Sequence, residues 1–135
     1  MSIHVRFRLG DESLALPVTQ VLEVAELGTI APVPGAPPAV LGVRNLRGQV
    51  LPVIDVAALI GTRRGTVRAA KLVIAEGAGR RAGLAIDRVT DVSELTGSVQ
   101  QADSPFLSGS TMAGEELVGI VDVEGVFAAV EGEPA

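Results

Sequence analysis

The first nine residues already narrow the choice of fold. Ile3-His4-Val5-Arg6-Phe7-Arg8-Leu9 alternates strictly between apolar and polar side chains. A period of two turns one set toward a core and the other toward solvent, which marks a half-buried strand. The same kind of short run recurs along the chain, broken each time by turn-forming residues. Gly10-Asp11-Glu12 reverses the chain, and Ser13 to Val18 reads as the second strand of a hairpin. Val21-Leu22-Glu23-Val24 continues a sheet or forms a short connection. Ala31-Pro32-Val33-Pro34-Gly35-Ala36-Pro37-Pro38 cannot be regular structure, because its prolines lack backbone donors, and it reads as a rigid, ordered surface loop.

Val40 to Leu46 and Gln49 to Ile54 are the next strands, turned at Arg47-Gly48. Asp55 is placed to cap a short helix over Val56 to Ile60 that stops at Gly61. Thr62 to Arg68 is polar, basic and expected to be exposed. Strands follow over Lys71 to Glu76, Arg81 to Arg88 and Thr90 to Leu95, then a polar loop, then Phe106 to Met112 and Glu116 to Val121. Asp122 caps a terminal helix, Val123 to Val130, and the tail from Glu131 is expected to fray.

The second half repeats the first. Gly42 and Gly109, Ile54 and Val121, Asp55 and Asp122, and Val56 and Val123 all lie 67 positions apart. Val21-Leu22-Glu23-Val24 resembles Val89-Thr90-Asp91-Val92 at an offset of 68, and Leu14-Ala15-Leu16 resembles Leu84-Ala85-Ile86 at 70. Short strands with frequent turns, duplicated, favour two small β-barrels over a parallel sheet. Residues 1–131 are expected to form one domain of two lobes, 1–66 and 67–131, with end strands exchanged between them.

Composition removes several function classes. The net charge is -5, so the positive field that binds phosphates is missing, and so are the aromatic platforms that stack bases. Nucleic acid is therefore not an expected partner. The chain has no cysteine, which excludes disulfides, thiolate metal sites and a cysteine nucleophile. No apolar run approaches the ~18 residues of a membrane-spanning helix, and the N-terminus has no signal-peptide core. His4 is the one histidine, expected to be exposed, so no histidine triad or metal cluster can be assembled. Asp55, Asp87 and Asp122 could be imagined as catalytic acids, but Asp55 and Asp122 precede apolar helical turns, where capping accounts for them. No enzyme, cofactor or metal is expected.

Gly42-Val43-Arg44-Asn45-Leu46-Arg47-Gly48-Gln49-Val50-Leu51-Pro52-Val53-Ile54-Asp55 closely resembles the signature of the CheW-like family. Its fixed positions run Gly-Val-x-Asn-Leu-Arg-Gly, three variable residues, then Pro-Val-x-Asp. Val21-Leu22-Glu23-Val24 and Gly83-Leu84-Ala85-Ile86-Asp87-Arg88-Val89 are similar to two further family segments, and the resemblance runs from about Val5 to Val130.

The resemblance implies an all-β fold of two five-stranded, SH3-like barrels packed together, with short helices. It implies a cytoplasmic, non-enzymatic coupling protein at membrane-associated receptor arrays. Its partners would be the cytoplasmic tip of a chemoreceptor and the regulatory domain of the CheA histidine kinase. Arg47 and Glu23 are expected to pair and brace the receptor-facing surface, since an arginine fork suits a carboxylate. Val21, Val24, Val43 and Leu46 are candidates for an apolar groove between the lobes, with Asn45 beside them in the motif. Phe106 is the candidate for a kinase contact, or else a core residue.

The loop from Ser98 to Ser108 is shorter than its family counterpart, which makes ring assembly a weaker expectation than coupling. The family's usual N-terminal extension is missing too, and the Met1 start and polar end suggest a stand-alone chain. The competing readings are a generic small β-barrel interaction module and an adaptor of a pathway that controls something other than swimming.

Overall fold

The structure is a computed structural model that describes residues 2–61 and 70–130. The expectations for Thr62 to Arg68 and for the tail from Glu131 lie outside those residues. The described strands are β1 (Ile3–Leu9), β2 (Glu12–Pro17), β3 (Val21–Glu26), β4 (Val40–Leu46), β5 (Gln49–Ile54), β6 (Lys71–Gly77), β7 (Arg80–Ile86), β8 (Arg88–Glu94), β9 (Leu107–Ala113) and β10 (Glu116–Val121). Helices α1 (Val56–Ile60) and α2 (Val123–Val130) follow β5 and β10. Strand ends differ from the sequence reading by a residue or two, as expected where ladders fray into turns.

The strands form two five-stranded sheets, β8-β1-β2-β10-β9 and β3-β6-β7-β5-β4. Exchange between the halves is extensive. β1 and β2, from residues 1–66, join β8, β9 and β10, while β6 and β7, from residues 67–131, join β3, β4 and β5. Each sheet therefore combines two strands of one repeat with three of the other.

The repeat holds at the level of individual pairs. Val5 pairs with Leu16, and 68 positions on Val73 pairs with Leu84. Val40 pairs with Ile54 and Gly42 with Val53, skipping Leu41; 67 positions on, Leu107 pairs with Val121 and Gly109 with Ile120, skipping Ser108. Bulges repeated at matching places are features of the fold and not local defects. This register corrects one alignment: Leu16 corresponds to Leu84, at an offset of 68, where the sequence pattern suggested 70. A two-residue slip keeps every side chain on its proper face, so alternation alone does not reveal it.

The main core lies between the sheets. Phe7, Leu9, Leu14 and Leu16 of the first sheet meet Ile54, Val73, Leu84 and Ile86 of the second, and Val56, Val123, Val126 and Phe127 of the helices close it. A smaller cluster of Leu51, Val53, Leu72, Ile74 and Ala85 fills the other face of the second sheet. Burial on both faces explains the unbroken apolar run Leu72-Val73-Ile74-Ala75 in β6. Leu27, Ile30 and Leu46 pack at the edge of this cluster.

Both helix caps form as the sequence indicates. Asp55 Oδ1 accepts from the Ala58 amide at 3.3 Å, and Gly61 ends α1 in the left-handed region. Asp122 Oδ1 accepts from the Gly125 amide at 3.1 Å. His4 departs from expectation: it is buried, with 6% of its surface exposed. β1 is an inner strand with His4 between Pro17 on β2 and Ser93 on β8, and its place matches that of Leu72, 68 positions on, which lies in the small cluster of the second sheet. Its Nδ1 donates to the Ser2 carbonyl oxygen at 3.1 Å.

Candidate partner-binding site

The β4–β5 hairpin carries the motif and turns through Arg47 at φ 52° and Gly48 at φ 84°. Positive φ at both central residues is the type I′ geometry that matches strand twist. Asn45 Oδ1 accepts from the Gly48 amide at 3.0 Å and locks the turn. Arg47 thus occupies a backbone conformation that suits glycine or asparagine and costs other residues about 1–2 kcal/mol. The matching hairpin between β9 and β10 has Gly114 at this point, at φ 64°.

At the tip, Arg47 Nη2 donates to Glu23 Oε2 on β3. The arginine side chain remains 67% exposed and the glutamate 34%. β3 and β4 are the two outer strands of their sheet, so the pair ties one edge to the other. Arg44 Nε donates to the Leu27 carbonyl oxygen at 3.0 Å, and Ala31 and Val43 exchange backbone hydrogen bonds of 2.8 and 2.9 Å. These links curl the sheet and hold Glu23 within reach of the hairpin.

The apolar candidates do not line one groove. Val21 packs on the main core between the sheets, and Leu46 packs on the small cluster inside the second sheet. Val24 is exposed on β3. Val43 and Asn45 line a shallow hollow of about 510 Å³ with Ala31, Arg44 and Val50. Phe106 is partly buried against the main core, and its carbonyl accepts from the Asp122 amide at 2.8 Å. Sequence reading missed Leu22, next to Glu23 in the chain, and Val50, two residues beyond Gly48, both exposed, Val50 at 61%. Val50 opens the apolar run Val50-Leu51-Pro52-Val53-Ile54, and only the sheet shows that it faces outward while Leu51 is buried.

The carboxylates weighed as catalytic acids have structural work. Asp55 and Asp122 cap helices, and Asp87 Oδ2 accepts from the Gly10 amide at 2.7 Å, fastening the end of β7 to the β1–β2 turn. Among the described residues no group of three or more His, Cys, Asp or Glu is placed to hold a metal ion. No described helix is long and apolar enough to cross a membrane.

The profile of the CheW-like domain matches residues 4–131. The chain belongs to the CheW-like domain family. Among its relatives, the probable chemotaxis protein CheW of Rhizobium etli is 29% identical over 140 residues, spanning 97% of this chain and 90% of that protein. Chemotaxis protein CheW of Rhizobium meliloti is 30% identical over the same shares of the two chains. The crystal structure of the scaffolding protein TtCheW from Thermoanaerobacter tengcongensis superposes with a TM-score of 0.80 at 28% identity, covering 90% of this chain and 84% of that one. These similarities set the CheW-like chain among the scaffold proteins of chemotaxis-type signalling.

Proposed function

We propose that this protein couples the cytoplasmic tip of a chemoreceptor to the regulatory domain of a CheA-type histidine kinase, in the cytoplasm beneath a receptor array, without catalysing a reaction. The observation that carries this reading is Arg47. An arginine is kept at a tight turn whose backbone favours glycine, mostly exposed, and oriented by Glu23 from another strand. A solvated surface pair gains under about 1 kcal/mol, which does not repay the turn. A binding role does account for it. Leu22, Val24 and Val50 give the charged pair apolar neighbours against which the apolar stripe of a helical receptor tip can lie. Phe106 and the loop before it supply the kinase-facing candidate.

The test is a solution titration against a purified receptor tip and a purified kinase regulatory domain. Saturable binding to both is expected. Arg47→Glu should weaken receptor binding at least tenfold while leaving the unfolding midpoint nearly unchanged. An Arg47→Glu protein that binds the receptor normally would falsify the role given to the pair.

A further inference from the structure

We infer that a cavity between α2 and the second sheet is a docking site for an acidic peptide segment of a partner protein, anchored by one large apolar side chain. The cavity measures about 320 Å³ and is lined by Val40, Pro52, Ile54, Ala82, Phe127 and Val130, with Arg80 and Arg81 at its rim.

The repeat shows how it arises. In the first sheet the parallel ladder runs through Gly119, which pairs with Leu14. The matching residues of the second sheet are Pro52 and Ala82. Proline has no amide hydrogen, and the β5–β7 ladder begins only at Val53 and Gly83. Alanine in place of leucine removes the side chain that would fill the space. A cleft therefore opens beside Pro52, and the longer α2 roofs it with Phe127.

Its charge is inverted relative to the sister position. The matching hollow on the first sheet, about 600 Å³, is edged by Asp11, Glu12, Asp103, Glu115 and Glu116, with Arg8 as its one cation among the lining residues, so its balance is acidic. Glu12 corresponds to Arg80 and Ser13 to Arg81. Arg80 holds its guanidinium carbon 5.8 Å from the centre of the Phe127 ring, and Arg81 Nε donates to Glu76 at 2.7 Å. The two guanidinium groups, one of them shared with the Glu76 carboxylate, set positive charge over an apolar floor in a chain of net charge -5. A planar fork of donors there selects carboxylates, and an apolar pocket with a polar rim is the usual seat of a peptide anchor. The cavity lies at the other end of the β4–β5 hairpin from Arg47, about 20 Å away at roughly 3.3 Å per residue. A segment seated here leaves the Glu23–Arg47 surface open, so the scaffold can hold an additional partner.

The experiment titrates the full-length, isotope-labelled protein with a capped pentapeptide, phenylalanine flanked by two acidic residues on each side, and follows amide shifts by NMR. Saturable shifts at Val40, Ala82, Phe127 and Val130 are expected. A lysine-flanked peptide should bind at least tenfold more weakly, and so should the acidic peptide to Arg81→Ala. Ala82→Leu, which copies Leu14, should abolish binding in a protein that keeps its dispersed spectrum. Should that variant fail to fold, Arg81→Ala decides. Equal binding of both peptides, shifts confined to the acidic hollow or the Arg47 turn, or no shifts at millimolar peptide would each overturn the assignment. So would shifts at the cavity that grow with protein concentration alone, which would mean that a second copy fills it.

Discussion

The two sheets share one backbone plan and fill the face turned away from the main core by opposite means. In the second sheet that face is the apolar cluster of Leu51, Val53, Leu72 and Ile74. The matching residues of the first sheet are Val118, Ile120, His4 and Arg6. There, Arg6 and Arg8 each donate to Glu116 at 2.8 Å, and Ser13 Oγ donates to it at 2.9 Å. The lesson is that a fixed strand register tolerates either filling, provided each buried donor or charge finds a partner. Among the described residues Arg6 Nε and Thr111 Oγ1 find no hydrogen-bond partner, which marks the ionic filling as the less complete of the two. The hairpin tips diverge as well, since Arg47 and Glu23 face each other where the sister tip has Gly114 and Asp91. Duplication supplied two similar platforms, and only one carries an arginine at its turn.

The contrast can be broken most severely from the apolar side. Ile74→Arg copies Arg6 into the second sheet, where no Glu116 waits, because Gln49 holds that place. An unpaired buried charge should cost roughly 3 kcal/mol or more, read as a large fall in the urea midpoint or failure to fold. A midpoint close to wild type would show that the small cluster is not a dry core.

The paired bulges offer a finer comparison. A Cβ at Gly42 would lie 2.3 Å from the Ala31 carbonyl oxygen, at φ 149°, whereas at Gly109 it would meet the Val99 side chain at 2.6 Å and the Gln100 carbonyl oxygen at 2.9 Å, without a positive φ. Gly42→Ala should therefore lose about 1–3 kcal/mol, and Gly109→Ala less, because its backbone clash is shallower and its backbone conformation suits any residue. Equal losses in thermal unfolding would remove the distinction between the two edges.

Arg47→Gly copies the sister turn. Relief of the left-handed backbone offsets loss of an exposed ion pair, so stability should stay within about 1 kcal/mol of wild type. A larger drop would mean that the pair holds the sheet edges together on its own.

The smallest effect is expected from acid. The hydrogen bond from Ser13, then the charges of Arg8 and Arg6, hold Glu116 below the ordinary glutamate value of 4.5, against the opposing effect of burial. A lowered value means that the folded protein binds this proton less readily than the unfolded chain. The resulting stabilisation is full above pH 4.5 and is lost as pH falls through the lower folded value. Glu116→Gln, which copies Gln49, should flatten that part of the curve of stability against pH. An unchanged acid limb in urea titrations would assign the slope to other carboxylates.

Much of this was legible in the chain. The strands, both aspartate caps, the stop at Gly61 and the place of the turn at Arg47-Gly48 follow from local rules of periodicity, capping and the φ freedom of glycine. The Glu23–Arg47 pair came from motif resemblance and charge, since residues 24 apart in sequence have no local reason to meet. The burial of His4 was hidden because alternation assigns a face but not whether flanking strands cover it. The ionic cluster was hidden for a related reason: Arg6, Ser13 and Glu116 meet only through the exchange that sets β1 and β2 beside β10.

The sequence by itself determined which segments are strands, where they turn, how the helices are capped and that the chain is duplicated. These depend on neighbours a few residues apart. The tertiary structure alone decided which strands share a sheet, the offset of 68 in the first hairpin, and which apolar residues remain exposed. Those outcomes are set by long-range pairing, in which a two-residue slip or an exchanged hairpin satisfies the same local pattern and only packing of the whole core selects between them.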